Sequence, residues 1–283
     1  MLFPLRLRLS AAAFLLVNIA AMGAQAATPL RNIIVPHRAV YEISLARTDE
    51  GSGVSTAAGR MVFEITGSAC AGYNMRQRMV VNIGDEEGNV GVLDFRITTF
   101  ESGNGEVFSF DSQTTLNREV VEAVEGEARR VGRGVEVTLK QPAEKTVQLE
   151  GDTLFPSQHL QAILDAALAN RTFVAADIYE GAGTGEASDA ASAAIGKALQ
   201  TGLQGPLRAG VRHWPISIGY FDGEEGDDSK RELGEETPTY QMQFTLYENG
   251  VTNDLVMDYG NYALSGSLEE IEPLEAAAKC PSR

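Results

Sequence analysis

From Val40 onward the chain is built of short segments in which apolar side chains fall on every second residue. This alternation limits the possible folds more than any other feature. A period of two puts one row of side chains on each face of an extended strand. The clearest segments are Tyr41, Ile43 and Leu45; Met61, Phe63 and Ile65; Met75 and Met79 to Ile83; Val92 to Ile97; Val107 to Phe110; Val135, Val137 and Leu139; and Val147 with Leu149. Gly, Asn, Asp and Ser separate them, so consecutive strands are joined by tight turns and run antiparallel. The pattern returns at Thr172 to Tyr179, at Trp214 to Phe221 and at Tyr240, Met242, Phe244 and Leu246. Asn249-Gly250 is the strongest hairpin turn signal in the chain, and Val251 to Tyr259 follows it. The expected fold is mainly β, a long antiparallel meander. Wide flat sheets leave hazardous edges, so the meander is expected to curl into an open spiral or a barrel-like sheet.

One or two short helices are expected to pack against that sheet. Pro156 and Ser157 open the first, with Ser157 as its N-cap, and Leu160, Ile163, Leu164, Ala167 and Leu168 form one apolar stripe at helical spacing. The first part of Gly181 to Ala198 reads as a flexible loop, and Ala190 to Leu199 as a second short helix.

The first residues predict export. Arg6 and Arg8 precede an apolar core from Leu9 to Met22 and the small-residue site Ala24-Gln25-Ala26, the order of a secretory signal peptide cleaved near Ala26. The apolar run is short of the roughly 20 residues a resident membrane helix needs. No cysteine follows the cut to carry a lipid, so no stable membrane anchor is expected. Residues 27–283 are read as one soluble periplasmic domain.

Two cysteines, Cys70 and Cys280, both lie in the exported part. In an oxidising compartment a structural disulfide is the expected state of such a pair. A redox enzyme would show a close C-x-x-C spacing, and a metal site would want more ligands than are at hand. The bridge would tie the end of the chain to its early strands, which is why a single domain is expected. Removing the signal takes away two arginines and no acid, so the charge becomes 21 − 39 = −18. Such an acidic body repels nucleic acid and anionic lipid heads. Much of the acid sits at Glu224 to Glu236 and Glu269 to Glu275, which read as solvated loops and helix faces.

Chemistry is sparse. Of three histidines, His159 lies two residues after Ser157, but the G-x-S-x-G elbow of a hydrolase is missing, and so are phosphate loops, dinucleotide fingerprints and H-E-x-x-H. The sequence offers no catalytic residue, cofactor or metal site, and the chain is read as a non-enzyme. The last third instead gathers Trp214, Tyr220, Phe221, Tyr240, Phe244, Tyr247, Tyr259 and Tyr262. On a strongly curved sheet these could line an apolar hollow that accepts an acyl chain or an apolar peptide, or a partner's surface; core filling is the competing explanation for any one of them.

Several runs also resemble the EipB family of cell-envelope integrity proteins: His37-Arg38-Ala39, Cys70-Ala71-Gly72-Tyr73, Phe155-Pro156-Ser157-Gln158-His159, Gly219-Tyr220-Phe221, Leu246 to Val251, Leu255 to Gly260, and Cys280. The resemblance implies a periplasmic β-spiral similar to periplasmic lipoprotein carriers, a Cys70 to Cys280 disulfide, and a role in envelope integrity under stress. It implies no enzyme activity, and it implies a tetratricopeptide-repeat partner. Ala71 and Tyr73 stand where the family often has an acidic residue and a tryptophan, which bears on the local turn alone. The expected function is therefore binding of a lipid, lipoprotein or protein partner in the concave face of the sheet. The alternative is a scaffold docking its partner by the outer surface, with a Ser157/His159 hydrolase as a third reading.

Overall fold

The alternating segments assemble into one sheet. A computed structural model describes residues 34–200, 205–221 and 237–275. Eight strands meander first: β1 (His37–Thr48), β2 (Thr56–Ser68), β3 (Gly72–Gly84), β4 (Val90–Glu101), β5 (Val107–Leu116), β6 (Glu119–Val131), β7 (Gly134–Gln141) and β8 (Lys145–Leu149). Helix α1 (Pro156–Leu168) follows, and then β9 (Phe173–Ile178), β10 (Asp189–Ile195), β11 (His213–Phe221), β12 (Tyr240–Tyr247), β13 (Thr252–Asp258) and β14 (Tyr262–Pro273). The strand order is β8 through β1, then β14 back to β9, so the first and last strands pair at the middle of a fourteen-stranded antiparallel sheet. Its two edges, β8 and β9, are consecutive in the chain and flank the helix. They nearly meet, because Leu154 bridges Ile178 in parallel: its N–H donates to the Asp177 carbonyl (2.7 Å), and its carbonyl accepts from Tyr179 N–H (2.9 Å). The open sheet is thus curled to within one bridge of closure.

Curling needs strand positions without side chains. A Cβ on Gly59 of β2 would lie 2.0 Å from the Val80 carbonyl oxygen of β3, so only glycine lets the two backbones come this close. The predicted Asn249-Gly250 turn does join β12 to β13, with Gly250 at φ +84°.

The helix lies against the inner face. Ile163, Leu164, Ala166 and Ala167 are buried in a core shared with Tyr41 and Ile43 of β1, Met61 of β2, Met79 and Val81 of β3, and the inward residues of β10 to β14. A second core stacks Phe108 and Phe110 of β5 with Phe155 and Tyr179 at the near-closure, ring centres 5.3 to 6.3 Å apart.

Three local expectations are corrected. Ala190 to Leu199 forms no helix: β10 runs Asp189–Ile195, burying Ala191, Ala193 and Ile195 between β9 and β11. Alanine favours helix by itself, but here the small side chains suit a strand with α1 packed on it, and tertiary context overrides propensity. Ser157 is not the N-cap. That position is Phe155, Pro156 is the first helical residue, and Gln158 Oε1 accepts the Phe155 N–H (3.1 Å). The acids Glu269, Glu270 and Glu272 belong to strand β14 and not to a loop or helix face, although their side chains are exposed. The residues of the signal peptide, Cys280 and the acidic segment 224–236 lie outside the described residues.

Candidate functional site

The inward rows of the curled sheet do not fill its interior. Between β1 to β4 on one side and β11 to β13 on the other lies a cavity of about 600 Å³, partly closed by Pro156 and Leu160 of the helix. Strand parity decides what lines it: Met75, Gln77 and Met79 of β3 point inward, while Arg76 and Arg78 between them are exposed outside. Met61, Met75, Met79, Met242 and Met257 all line the cavity, and they are every methionine of the chain after residue 22. Phe63, Leu93, Phe95, Ile97, Phe244 and Leu255 complete an apolar wall. Unbranched thioether side chains adapt their shape at little cost, which suits a surface that must accommodate a flexible guest.

Polar groups in this wall are few. Tyr41 is tied off by donating its hydroxyl to the Thr252 carbonyl (2.9 Å), and burial pushes its pKa up to about 12. Glu180, in the loop after β9, is the one residue with a formal charge among the described lining residues, which include no Lys or Arg. It is only half-buried by area, but the cavity wall around it is largely apolar and desolvates its carboxylate. That desolvation, reinforced by the charge of Asp189, raises its pKa to about 7. Beside it a row of tyrosines begins. Tyr220 and Tyr240 have ring centres 5.6 Å apart, Tyr240 and Tyr259 5.2 Å, and Tyr259 and Tyr262 5.0 Å. The Glu180 charge helps hold the hydroxyls of Tyr220 and Tyr240 well above their ordinary pKa, after burial as the main cause.

Of the aromatic residues singled out in the sequence, Tyr220, Tyr240, Phe244 and Tyr259 line the cavity. Tyr262 continues the tyrosine row. Trp214 does not reach the hollow: it is buried in the core, with the Arg212 guanidinium 5.7 Å from its ring centre. Phe221, half-buried at the end of β11, is not part of the lining either. The methionines and Glu180 were not singled out. Their signal was present in part, since Met61, Met75 and Met79 stand on one parity of adjacent strands.

Ser157 and His159 form no catalytic pair. The Ser157 N–H donates to Glu101 Oε2 (2.7 Å), and its hydroxyl bonds the same carboxylate. His159 is buried, its Nε2 has no hydrogen bond from the described residues, and burial lowers its pKa to about 4. Glu101, 2% exposed, caps the helix N-terminus from β4. Arg130 joins this polar node through Gln158 Oε1 and the Thr153 carbonyl, both 2.7 Å away. Among the described residues no cluster of His, Cys, Asp and Glu suited to a metal ion occurs.

A spiral sheet wrapped on one helix around an apolar hollow defines a class of curled β proteins with an internal cavity. The comparisons narrow the class. The EipB-like family model matches residues 30–275, and the chain belongs to that family. It is 35% identical over 255 residues to the cell envelope integrity protein EipB of Brucella abortus, spanning 88% of this chain and 87% of that protein. A solved structure, a β-barrel-like protein of domain of unknown function DUF1849 from the same organism, superposes with a TM-score of 0.79 at 33% identity, covering 87% of this chain and all of the other.

Proposed function

We propose that this chain is a periplasmic, non-enzymatic factor in cell-envelope integrity that holds the acyl part of a lipid or lipoprotein in its cavity. The observation that carries the reading is the methionine-lined hollow of about 600 Å³, which lies within the range of small-molecule sites. The name of the Brucella relative supports the envelope role. Native mass spectrometry after gentle extraction should find an acyl-bearing guest, and recombinant protein should take up a dodecyl probe. Met79→Glu should abolish uptake by placing an unpaired charge in the apolar wall. Protein that is always empty and takes up no probe would end this reading.

The bridge between Cys70 and Cys280 is part of the proposal. Cys70 lies in the β2–β3 turn, five residues after Ile65, which pairs with His37; His37 in turn pairs with Pro273. The Leu274 N–H donates to the Pro36 carbonyl (3.0 Å), so the chain leaves β14 on the side of the sheet where Cys70 sits. The six residues from there to Cys280 can span roughly 20 Å.

A second reading, a scaffold that docks a tetratricopeptide-repeat partner, is favoured by exposed Val90, Val92, Leu116, Val120 and Val121 on neighbouring strands β4 to β6. Lysine substitutions at Val120 and Val121 should then reduce crosslinking to such a partner in cells while leaving probe uptake intact. The reverse result favours the cavity.

A further inference from the structure

An acyl chain explains the methionines but not Glu180. A carboxylate in an apolar wall costs free energy unless something compensates it. Among the described residues Glu180 takes part in no hydrogen bond or ion pair, and the nearest charge that acts on it, Asp189, has the same sign. Among the described residues this acid of the cavity wall thus has no counter-charge, and beside it stands a continuous row of tyrosine rings spaced 5.0 to 5.6 Å apart. The faces of such rings are electron-rich and attract cations.

Resting on the cavity reading above, we infer that this part of the cavity selects the head group of its guest: an ammonium carried on an apolar chain, with Glu180 as counter-ion and Tyr220, Tyr240 and Tyr259 as the aromatic wall. The opposite choice, a fatty-acid carboxylate or a bare phosphate, would meet Glu180 with like charge and find no Lys or Arg among the described lining residues to receive it. A neutral head would leave the acid as it stands. Ammonium satisfies both features at once, because it pairs with the carboxylate and lies against the rings without needing a directional acceptor. The methionine wall is indifferent to the head, so selectivity rests on the Glu180 and tyrosine side alone.

The test titrates the full exported chain at about pH 8, where Glu180 is ionised, with three dodecyl amphiphiles below their micelle concentrations. These are dodecyltrimethylammonium, a neutral dodecyl polyoxyethylene ether and dodecanoate. The wild type should prefer the ammonium over the ether by about tenfold, and the ether over dodecanoate. Glu180→Gln should erase the preference and keep the affinity for the ether. Equal affinities in the wild type, or a preference that survives Glu180→Gln, overturn the head-group inference and leave the cavity reading standing. Uptake of none of the three overturns both. Should Glu180→Gln also lose the ether, wild-type competition decides. Tetramethylammonium chloride should displace the ammonium probe more than the ether, beyond the effect of sodium chloride at equal strength, and equal displacement overturns the inference.

Discussion

Glu101 and Glu180 are two carboxylates taken out of water in the same fold, and both have their pKa raised to about 7, with burial as the main cause. Their surroundings differ entirely. Glu101 receives the backbone N–H and hydroxyl of Ser157 and feels the charge of Arg130. It holds the start of α1 where the sheet edges approach one another. Glu180 receives no hydrogen bond from the described residues and lines the cavity. A raised pKa alone therefore does not distinguish a structural acid from one awaiting a guest; the partners do. Each experiment below pushes on one side of that contrast.

The largest effect should come from the Glu101 side. The Cys70 turn lies against it: Tyr73 pairs with Glu101, and a Cβ on Gly103 would stand 2.8 Å from the Cys70 carbonyl carbon. A bridge from Cys70 to Cys280 would close a loop of 210 residues, worth up to about 5 kcal/mol. Reduction, or Cys280→Ser, should therefore lower the thermal midpoint sharply. Below that midpoint, dodecyl-ether uptake in the Met61 to Met257 hollow should persist. An unchanged midpoint means that the sulfurs are not joined or that the bridge adds no stability.

Next in size is Glu101→Ala, which removes the helix cap and leaves a partly buried Ser157 N–H unpaired. Urea unfolding should register a loss of about 2 kcal/mol. Glu101→Gln keeps an acceptor oxygen and should show the sign of the titration. Between 4.5 and about 7 the folded protein holds a proton on Glu101 that the unfolded chain has released, so this group contributes less stability as pH rises through that window. Glutamine does not titrate. The stability of Glu101→Gln relative to wild type should therefore climb from about pH 5 to about pH 8, and a flat difference would show that the acid is not desolvated as described. Taking the difference also cancels the opposite contribution of His159, whose lowered pKa makes stability rise with pH.

Much of this architecture was legible in the residues. Period-two alternation located most strands, and the Asn249-Gly250 turn marked its hairpin, because both signals are local. Strand β6 was missed because Glu119, Glu122, Glu125 and Glu127 dilute its alternation, and β14 because its acids read as solvated loop. Strand β10 was missed because alanine and serine carry a helical preference that only neighbouring strands can override. At the site, the aromatic residues were visible as a late cluster, whereas the methionines of β2 and β3 acquire meaning only once β1 and β14 pair and bring both halves of the chain round one hollow. Glu180 left no trace of its own. It is one acid among many in the sequence, and only its place in the cavity wall with no partner among the described residues, which is a three-dimensional fact, sets it apart.

The smallest stability effect should come from Glu180 itself, and its smallness is what the contrast requires. Glu180→Gln removes no hydrogen bond made by the described residues, so stability at about pH 4, where the acid is protonated in both states, should stay within about 0.5 kcal/mol of wild type. Its stability relative to wild type should also climb with pH between 4.5 and about 7, as for Glu101→Gln, since both acids hold a proton in the folded state that the unfolded chain lacks. The two should part when the cavity is filled. Saturating dodecyltrimethylammonium gives Glu180 the opposite charge it lacks and favours its ionised form, so the climb seen for Glu180→Gln should flatten, while that for Glu101→Gln keeps its shape because the guest does not reach the helix cap. If the guest leaves both profiles unchanged, Glu180 is as structural as Glu101, and the difference in their partners carries no functional meaning.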